Sequence, residues 1–283
     1  MTDASALDIV PITPRIGAEV HGLDLAALSA PALAALREAF ARHRVLVFRD
    51  QRLDREAHKQ FGRLWGPLQT HPAKTELGLP GDPEIFKINI GAETRVANGE
   101  SWHTDLSCEP VPPSASALYI TQTPPSGGGD TMFANMTDAF TSLSDPIQQL
   151  LVGLTAVHSG EQDLRAYGVR LKPGQHYPQA RHPVVISHPQ SGDPVLYVNE
   201  AFTESIDGLS KRESDALLQL LFRHVEANTR IQCRVQWQPN TLVLWDNMGV
   251  HHHAVWDYYP ECRRGERVTA RCLEAPAPWA GPV

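Results

Sequence analysis

The sequence predicts a mostly β fold with flanking helices, its strands forming an antiparallel sandwich or jelly roll. Three observations carry this. From about residue 85 onward, short β-branched or aromatic runs recur with Gly, Pro, Asn and Asp between them. Two segments with helical periodicity precede those runs. A third helical segment, residues 210–226, interrupts them.

Taken in order, SAPALAALREAFARH (29–43) reads as the first helix, with Ser29 as cap, Pro31 near the first turn, and Leu33, Leu36 and Phe40 on one face. RVLVF (44–48) reads as a buried strand. LDREAHKQFGRLWG (53–66) reads as a second helix, capped by Asp54 and stopped at Gly66-Pro67. The strand candidates that follow are IFKINI (85–90), ASALYI (115–120), TMFAN (131–135), HPVVISHP (182–189), VLYVN (195–199), RIQCRVQW (230–237), TLVLW (241–245) and RVTARCL (267–273). In the third helix, Ser210 and Glu213 have capping-box spacing, and Leu217, Leu218, Leu221 and Val225 form the apolar stripe. Residues 159–183 are polar and aperiodic, which predicts a loop or lid. The Pro-rich tail 274–283 is expected to be a loose terminus. No repeat or linker divides the chain. One domain is expected over 1–283: a core at about 85–275 with the helical insert, and residues 1–84 packed on it.

With 283 residues, 42% hydrophobic and 20% charged, the chain can bury a large core. A net charge of −7 argues against a nucleic-acid partner. No export signal is recognised, and runs such as VLVF are too short to cross a bilayer, so no membrane partner is expected. Cys108, Cys233, Cys262 and Cys272 lack CxxC spacing and read as free thiols in a reducing compartment, hence a cytoplasmic protein.

Two histidine motifs carry chemistry. In WHTDLS, His103 and Asp105 are two apart, so on an extended strand both side chains share a face. That pair is either a surface His–Asp couple or two corners of a metal site whose third corner is a distant histidine. Two histidines and one carboxylate on one face of iron leave the other face open for O2 chemistry. The triplet His251, His252 and His253 offers that histidine, but adjacent strand residues cannot all point at one metal.

The order of many motifs resembles the taurine dioxygenase / 2,4-dichlorophenoxyacetate dioxygenase family of Fe(II)- and 2-oxoglutarate-dependent oxygenases. The motifs include RIGAEVHGLDL (15–25), FGRLWGPLQTHP (61–72), WHTDLSCEPVPPSASALY (102–119), TPPSGGGDTMFAN (123–135), LYVNEAF (196–202) and LWDNMGVHHHAVWDYYP (244–260). The resemblance implies a double-stranded β-helix, the jelly roll of the clavaminate synthase type. It implies Fe(II), 2-oxoglutarate as co-substrate, and O2. Its distal ligand falls seven residues after the Trp of the WDN motif, which selects His252, so the implied metal ligands, and with them the catalytic residues, are His103, Asp105 and His252. His251 and His253 are left to solvent or to supporting roles.

The family's keto-acid arginine stands eleven residues past the distal histidine, at Arg263, and Thr131 matches its threonine partner. A guanidinium suits this task because it grips a carboxylate with two parallel hydrogen bonds. For the prime substrate the resemblance implies His71, Phe202 and Arg267, the last as anion holder; an alternative register would use Arg267 and Arg271. The expected substrate is a small anionic organic molecule, first a sulfonate of the taurine type releasing sulfite and an aldehyde. Lys74 and Gly99 depart from the taurine enzymes near the amine end of the pocket. An alkyl sulfate ester or an aryloxyalkanoate carboxylate is the alternative, and a cupin-like metal protein without 2-oxoglutarate chemistry is the rival class. The resemblance also implies a homo-oligomer, dimer or tetramer.

Overall fold

The structure of the chain, a computed structural model, describes residues 7–70, 81–95, 99–166 and 168–281. Among the described residues the largest sheet has the order β1 (Asp8–Pro11), β2 (Ala18–His21), β3 (Val45–Phe48), β13 (Thr241–Asp246), β5 (Pro113–Gln122), β15 (Arg263–Arg271), β4 (Phe86–Ile90). A second sheet has β12 (Gln232–Val235), β6 (Thr131–Asn135) and β14 (Val250–Ala254). A third has β11 (Thr203–Ile206), β7 (Thr155–Ser159) and β8 (Gln179–Pro183), and β10 (Pro194–Leu196) pairs with β9 (Val185–Ser187). All pairings are antiparallel except β2 with β3.

Period-two alternation explains how the large sheet is buried on both faces. Val45, Val47, Val243 and Trp245 pack toward Phe133, Cys233 and Val250 of the second sheet. Leu46, Phe48, Leu242 and Leu244, one residue out of step, pack under Leu36 and Phe40 of helix α1 (Ala30–His43) and Phe61 of helix α2 (Arg55–Arg63). A strand apolar at every position is what a sheet covered on both sides requires. The result is the strand-rich jelly roll that the motifs implied.

The caps are as the sequence predicts. Ser29 accepts from the Ala32 N–H, and the Asp54 carboxylate accepts from Ala57 N–H. The second helix is shorter than 53–66, ending at Arg63. Helices α3 (Met136–Thr141) and α4 (Asp145–Leu151) were not predicted. The segment 159–183 is not simply a loop: it holds helix α5 (Glu161–Ala166) and strand β8, which pairs with β7. A six-residue helix gives too few turns to show periodicity, and QARHP lacks β-branched residues. HPVVISHP is broken at Val184, between β8 and β9. Helix α6 (Lys211–Ala227) has the full capping box between Ser210 and Glu213.

The tail is anchored rather than loose. Pro278 bridges Ile186, Trp279 N–H donates to the Val185 carbonyl at 3.1 Å, and the Trp279 ring meets Phe140 edge-on at 5.5 Å. A Pro- and Ala-rich composition signalled disorder, but one aromatic anchor outweighs it. Among the described residues no helix is long and apolar enough to cross a membrane, and the four cysteines are unpaired.

Candidate active site

The H-x-D segment is not a regular strand. His103 makes a two-way backbone bridge with His252, donating its N–H to the His252 carbonyl at 3.0 Å and accepting in return at 2.7 Å. The chain then turns, with Leu106 at φ +52°. Asn247 holds the turn. Its side-chain oxygen accepts from Asp105 N–H at 3.0 Å, its amide donates to the Asp105 carbonyl at 3.1 Å and to the Pro113 carbonyl at 3.2 Å, and its own carbonyl accepts from the Thr104 hydroxyl. The shared face expected from strand alternation is thus supplied by a bridge and a clamped turn.

His103, Asp105 and His252 each offer a ligand atom, all within 4.8 Å of one another, and all three are buried. The His252 Nε2 lies 3.9 Å from Asp105 Oδ1. His103 Nδ1 donates to the Ser101 carbonyl at 2.7 Å, which leaves the lone pair on Nε2. The His252 ring is wedged against Trp245 at 4.9 Å and Phe133 at 6.2 Å. Burial pushes both imidazoles below the ordinary histidine range, so both are neutral donors at pH 7. Burial opposes ionisation of Asp105, but the Arg267 guanidinium, helped by the Ser116 hydroxyl, holds the carboxyl well below the usual range. The Asp105 oxygens accept from Ser116 Oγ at 2.9 Å and Arg267 Nη1 at 2.8 Å. Two neutral imidazoles and one ionised carboxylate on one side of a cavity fit a divalent iron.

Thr131, Phe202, Arg263 and Arg267 line the same cavity. Arg263 is 7% exposed, and its Nε and Nη2 have no hydrogen-bond partner. Burial lowers its pKa, and the Tyr258 phenol works in the opposite direction. Its guanidinium lies over the Trp237 ring at 5.2 Å. Thr131 Oγ1 accepts from the Trp237 indole N–H at 3.0 Å, so its own proton remains to donate. Buried N–H donors left unmet are costly, and a bound carboxylate would meet them.

Arg267 lies over Phe86 at 5.1 Å and is engaged by Asp105, which the sequence did not foresee. Arg271, by contrast, is exposed and lines a different hollow with Gln69 and Glu109. Of the two arginine registers, only Arg263 with Arg267 faces the metal cluster. His71 and Lys74 fall outside the described residues. His251 is not solvent-facing: it is 2% exposed, with Nε2 unpartnered. His253 is half-buried, with Trp102 5.6 Å away. Sequence reasoning missed Asn247, Ser116, Trp237 and Asp163 as site residues. Asn247 could have been found as the third residue of the WDN motif, whose Trp was used only for counting.

A His/Asp/His cluster inside a rolled β fold, with a buried guanidinium lining the same cavity, fits the class of 2-oxoglutarate-dependent non-haem iron oxygenases. Comparison with known proteins agrees. Residues 8–272 match the family described as "Taurine catabolism dioxygenase TauD, TfdA family". The chain is 36% identical over 281 residues to an alpha-ketoglutarate-dependent sulfonate dioxygenase of Saccharomyces cerevisiae, covering 93% of this chain and 66% of that protein. It is 35% identical over 280 residues to an alpha-ketoglutarate-dependent sulfate ester dioxygenase of Pseudomonas putida, covering 94% and 90%. Its fold matches a taurine dioxygenase from Burkholderia xenovorans with a TM-score of 0.81 at 33% identity, covering 98% and 92% of the two chains. The chain belongs to the TauD/TfdA family and is a 2-oxoglutarate-dependent dioxygenase using Fe(II) and O2.

Proposed function

We propose that His103, Asp105 and His252 hold Fe(II), that Thr131 and Arg263 seat the far carboxylate of 2-oxoglutarate, and that Arg267 and Phe202, with His71, receive a small anionic substrate, first a sulfonate of the taurine type. The observation that carries this reading is Arg263: a buried guanidinium with two donor nitrogens unmet, lining the cavity of the His/Asp/His cluster. It favours a keto diacid and disfavours the cupin-like alternative, which needs no such cation.

Iron with 2-oxoglutarate and O2 supplies the oxidation, in which the keto acid leaves as succinate and CO2 while one oxygen atom hydroxylates a substrate C–H bond. The chain supplies the rest. Arg263 and Thr131 fix one end of the keto acid, so the other end meets the cluster in one orientation. Neutral His103 and His252 stay available as donors because burial keeps protons off them. Ser116 and Asn247 hold Asp105 from the side chain and the backbone. Arg267 attracts the anionic head, and Phe202, its ring centre 6.4 Å from that of His103, walls the pocket and excludes water. Hydroxylation of a carbon bearing a sulfonate gives an adduct that collapses to an aldehyde and sulfite.

The relatives named for sulfonate and sulfate ester substrates support an anionic head without choosing between them. A sulfate ester or an aryloxyalkanoate carboxylate would use the same Arg267. We further propose that the chain acts as one catalytic domain, in the cytoplasm, as a homo-oligomer. Pairing of β2–β3 into the same sheet as β13 and β5 supports the first, and the unpaired cysteines support the second.

Succinate formation, screened across sulfonates, sulfate esters and aryloxy acids, tests the reading. Arg263→Ala should raise the half-saturating 2-oxoglutarate concentration at least tenfold, the scale of losing one side of a buried charge pair. Arg267→Ala should act mainly on the prime substrate. Oxygen consumption indifferent to 2-oxoglutarate would overturn it.

A further inference from the structure

Asp163 is a second carboxylate in the active-site cavity, and nothing in the iron and keto-acid chemistry uses it. It lies on α5 and lines the cavity with Arg267, Phe202 and Leu106. No described residue gives it a hydrogen bond or an ion pair, whereas Glu161 on the same helix is paired with Arg165. An acid without partners, facing a cavity already holding Asp105, is uncompensated. Burial and the charge of Asp105 push its pKa up to about 7, against the pull of Arg267. A carboxylate without a partner that lines the cavity suits a cation or a hydrogen-bond donor.

We infer that Asp163 is a specificity-determining residue, accepting a hydrogen bond from an ammonium or hydroxyl donor on the part of the substrate remote from its anionic head. The inference rests on the proposed role of Arg267 as anion holder and deepens it. The head pairs with Arg267 on the β15 wall, and the donor pairs with Asp163 on the α5 wall. The substrate then lies between Arg267 and Asp163, which fixes which C–H bond faces the proposed iron ligands. An unsubstituted alkyl tail would cover Asp163 without giving it a partner, and a site that leaves a polar group unpaired in the complex discriminates strongly against such ligands.

The test pairs substrates of equal length carrying a terminal ammonium, hydroxyl or methyl group, each with a sulfonate, sulfate or carboxylate head. The readouts are kcat/KM by succinate formation, and calorimetric binding to the Mn(II)- and 2-oxoglutarate-loaded protein without O2. In the unaltered enzyme, the ammonium or hydroxyl member should exceed the methyl member at least tenfold. Asp163→Asn should collapse an ammonium preference at least tenfold and a hydroxyl preference less, since the amide oxygen still accepts. Asp163→Leu should reverse either preference toward the methyl tail. Equal loss for all tails, or no tail preference with a head that is accepted, overturns the role of Asp163 and leaves the anion reading intact. Failure of every anionic head overturns both. Unfolding midpoints and 2-oxoglutarate affinity of the two variants separate a misfolded protein from a respecified one.

Discussion

At the scale of single residues, the three adjacent histidines show how context divides identical side chains. His252 faces Asp105 and is the proposed ligand, while His251 is turned into the core and His253 lies half-buried. His252→Ala should abolish Fe(II) uptake, measured by metal titration, and succinate formation with it. His253→Ala should retain most of both. His251→Ala should keep metal binding but cost roughly 1–3 kcal/mol of stability, because it opens a cavity among buried neighbours. Comparable loss of metal in all three would refute the assignment. Alternation along a strand was enough to say that one histidine differs from its neighbours, and the family's spacing from Trp245 chose which. That His251 is buried was not legible, because a polar triplet carries no sign of which face is covered.

At the scale of elements, the glycine turn before β6 shapes the proposed keto-acid end of the cavity. Gly129 has φ +70°, and a Cβ there would stand 3.0 Å from the Tyr258 ring and 3.2 Å from Arg263 Cδ. Its N–H also donates to the Asp257 carboxylate at 2.8 Å, tying the turn to the loop after β14. Gly129→Ala combines a left-handed backbone with pressure on the proposed carboxylate grip. It should raise the 2-oxoglutarate requirement several-fold at unchanged Fe(II) affinity, as seen by keto-acid titration of the metal-loaded protein. The GGGDT run was visible in the sequence as a turn followed by a matched threonine. The packing of Tyr258 and Arg263 on its glycines was not, since those contacts join positions more than a hundred residues apart. Short elements such as α5 were lost for a related reason: six residues hold less periodic signal than the tertiary contacts that stabilise them.

At the scale of the whole molecule, stability is tied to buried neutral imidazoles outside the proposed metal cluster. Burial is the leading cause in each: His58 is pushed down to about 4, and His158 and His251 to about 3. Unfolded, each takes up a proton as pH falls below about 6.5, whereas the folded chain does not. Their contribution is full above that pH and is lost progressively toward pH 4, by roughly 1.4 kcal/mol per pH unit for each histidine. Denaturant unfolding at pH 7, 6 and 5 should give a stability that falls with acidity; a flat profile would contradict it. The sequence by itself determined the β-rich class, the principal helices with their caps, and, through the order of its motifs, the residues of the proposed iron and keto-acid site, because local periodicity and spacing are properties of the chain. Only the tertiary structure decided that a clamped turn, not a strand, presents Asp105, that the tail is anchored, that Arg271 stands outside the cavity, and that Asp163 stands inside it. Those facts depend on which distant segments share a wall, and burial and Coulomb energy act through space rather than along the sequence.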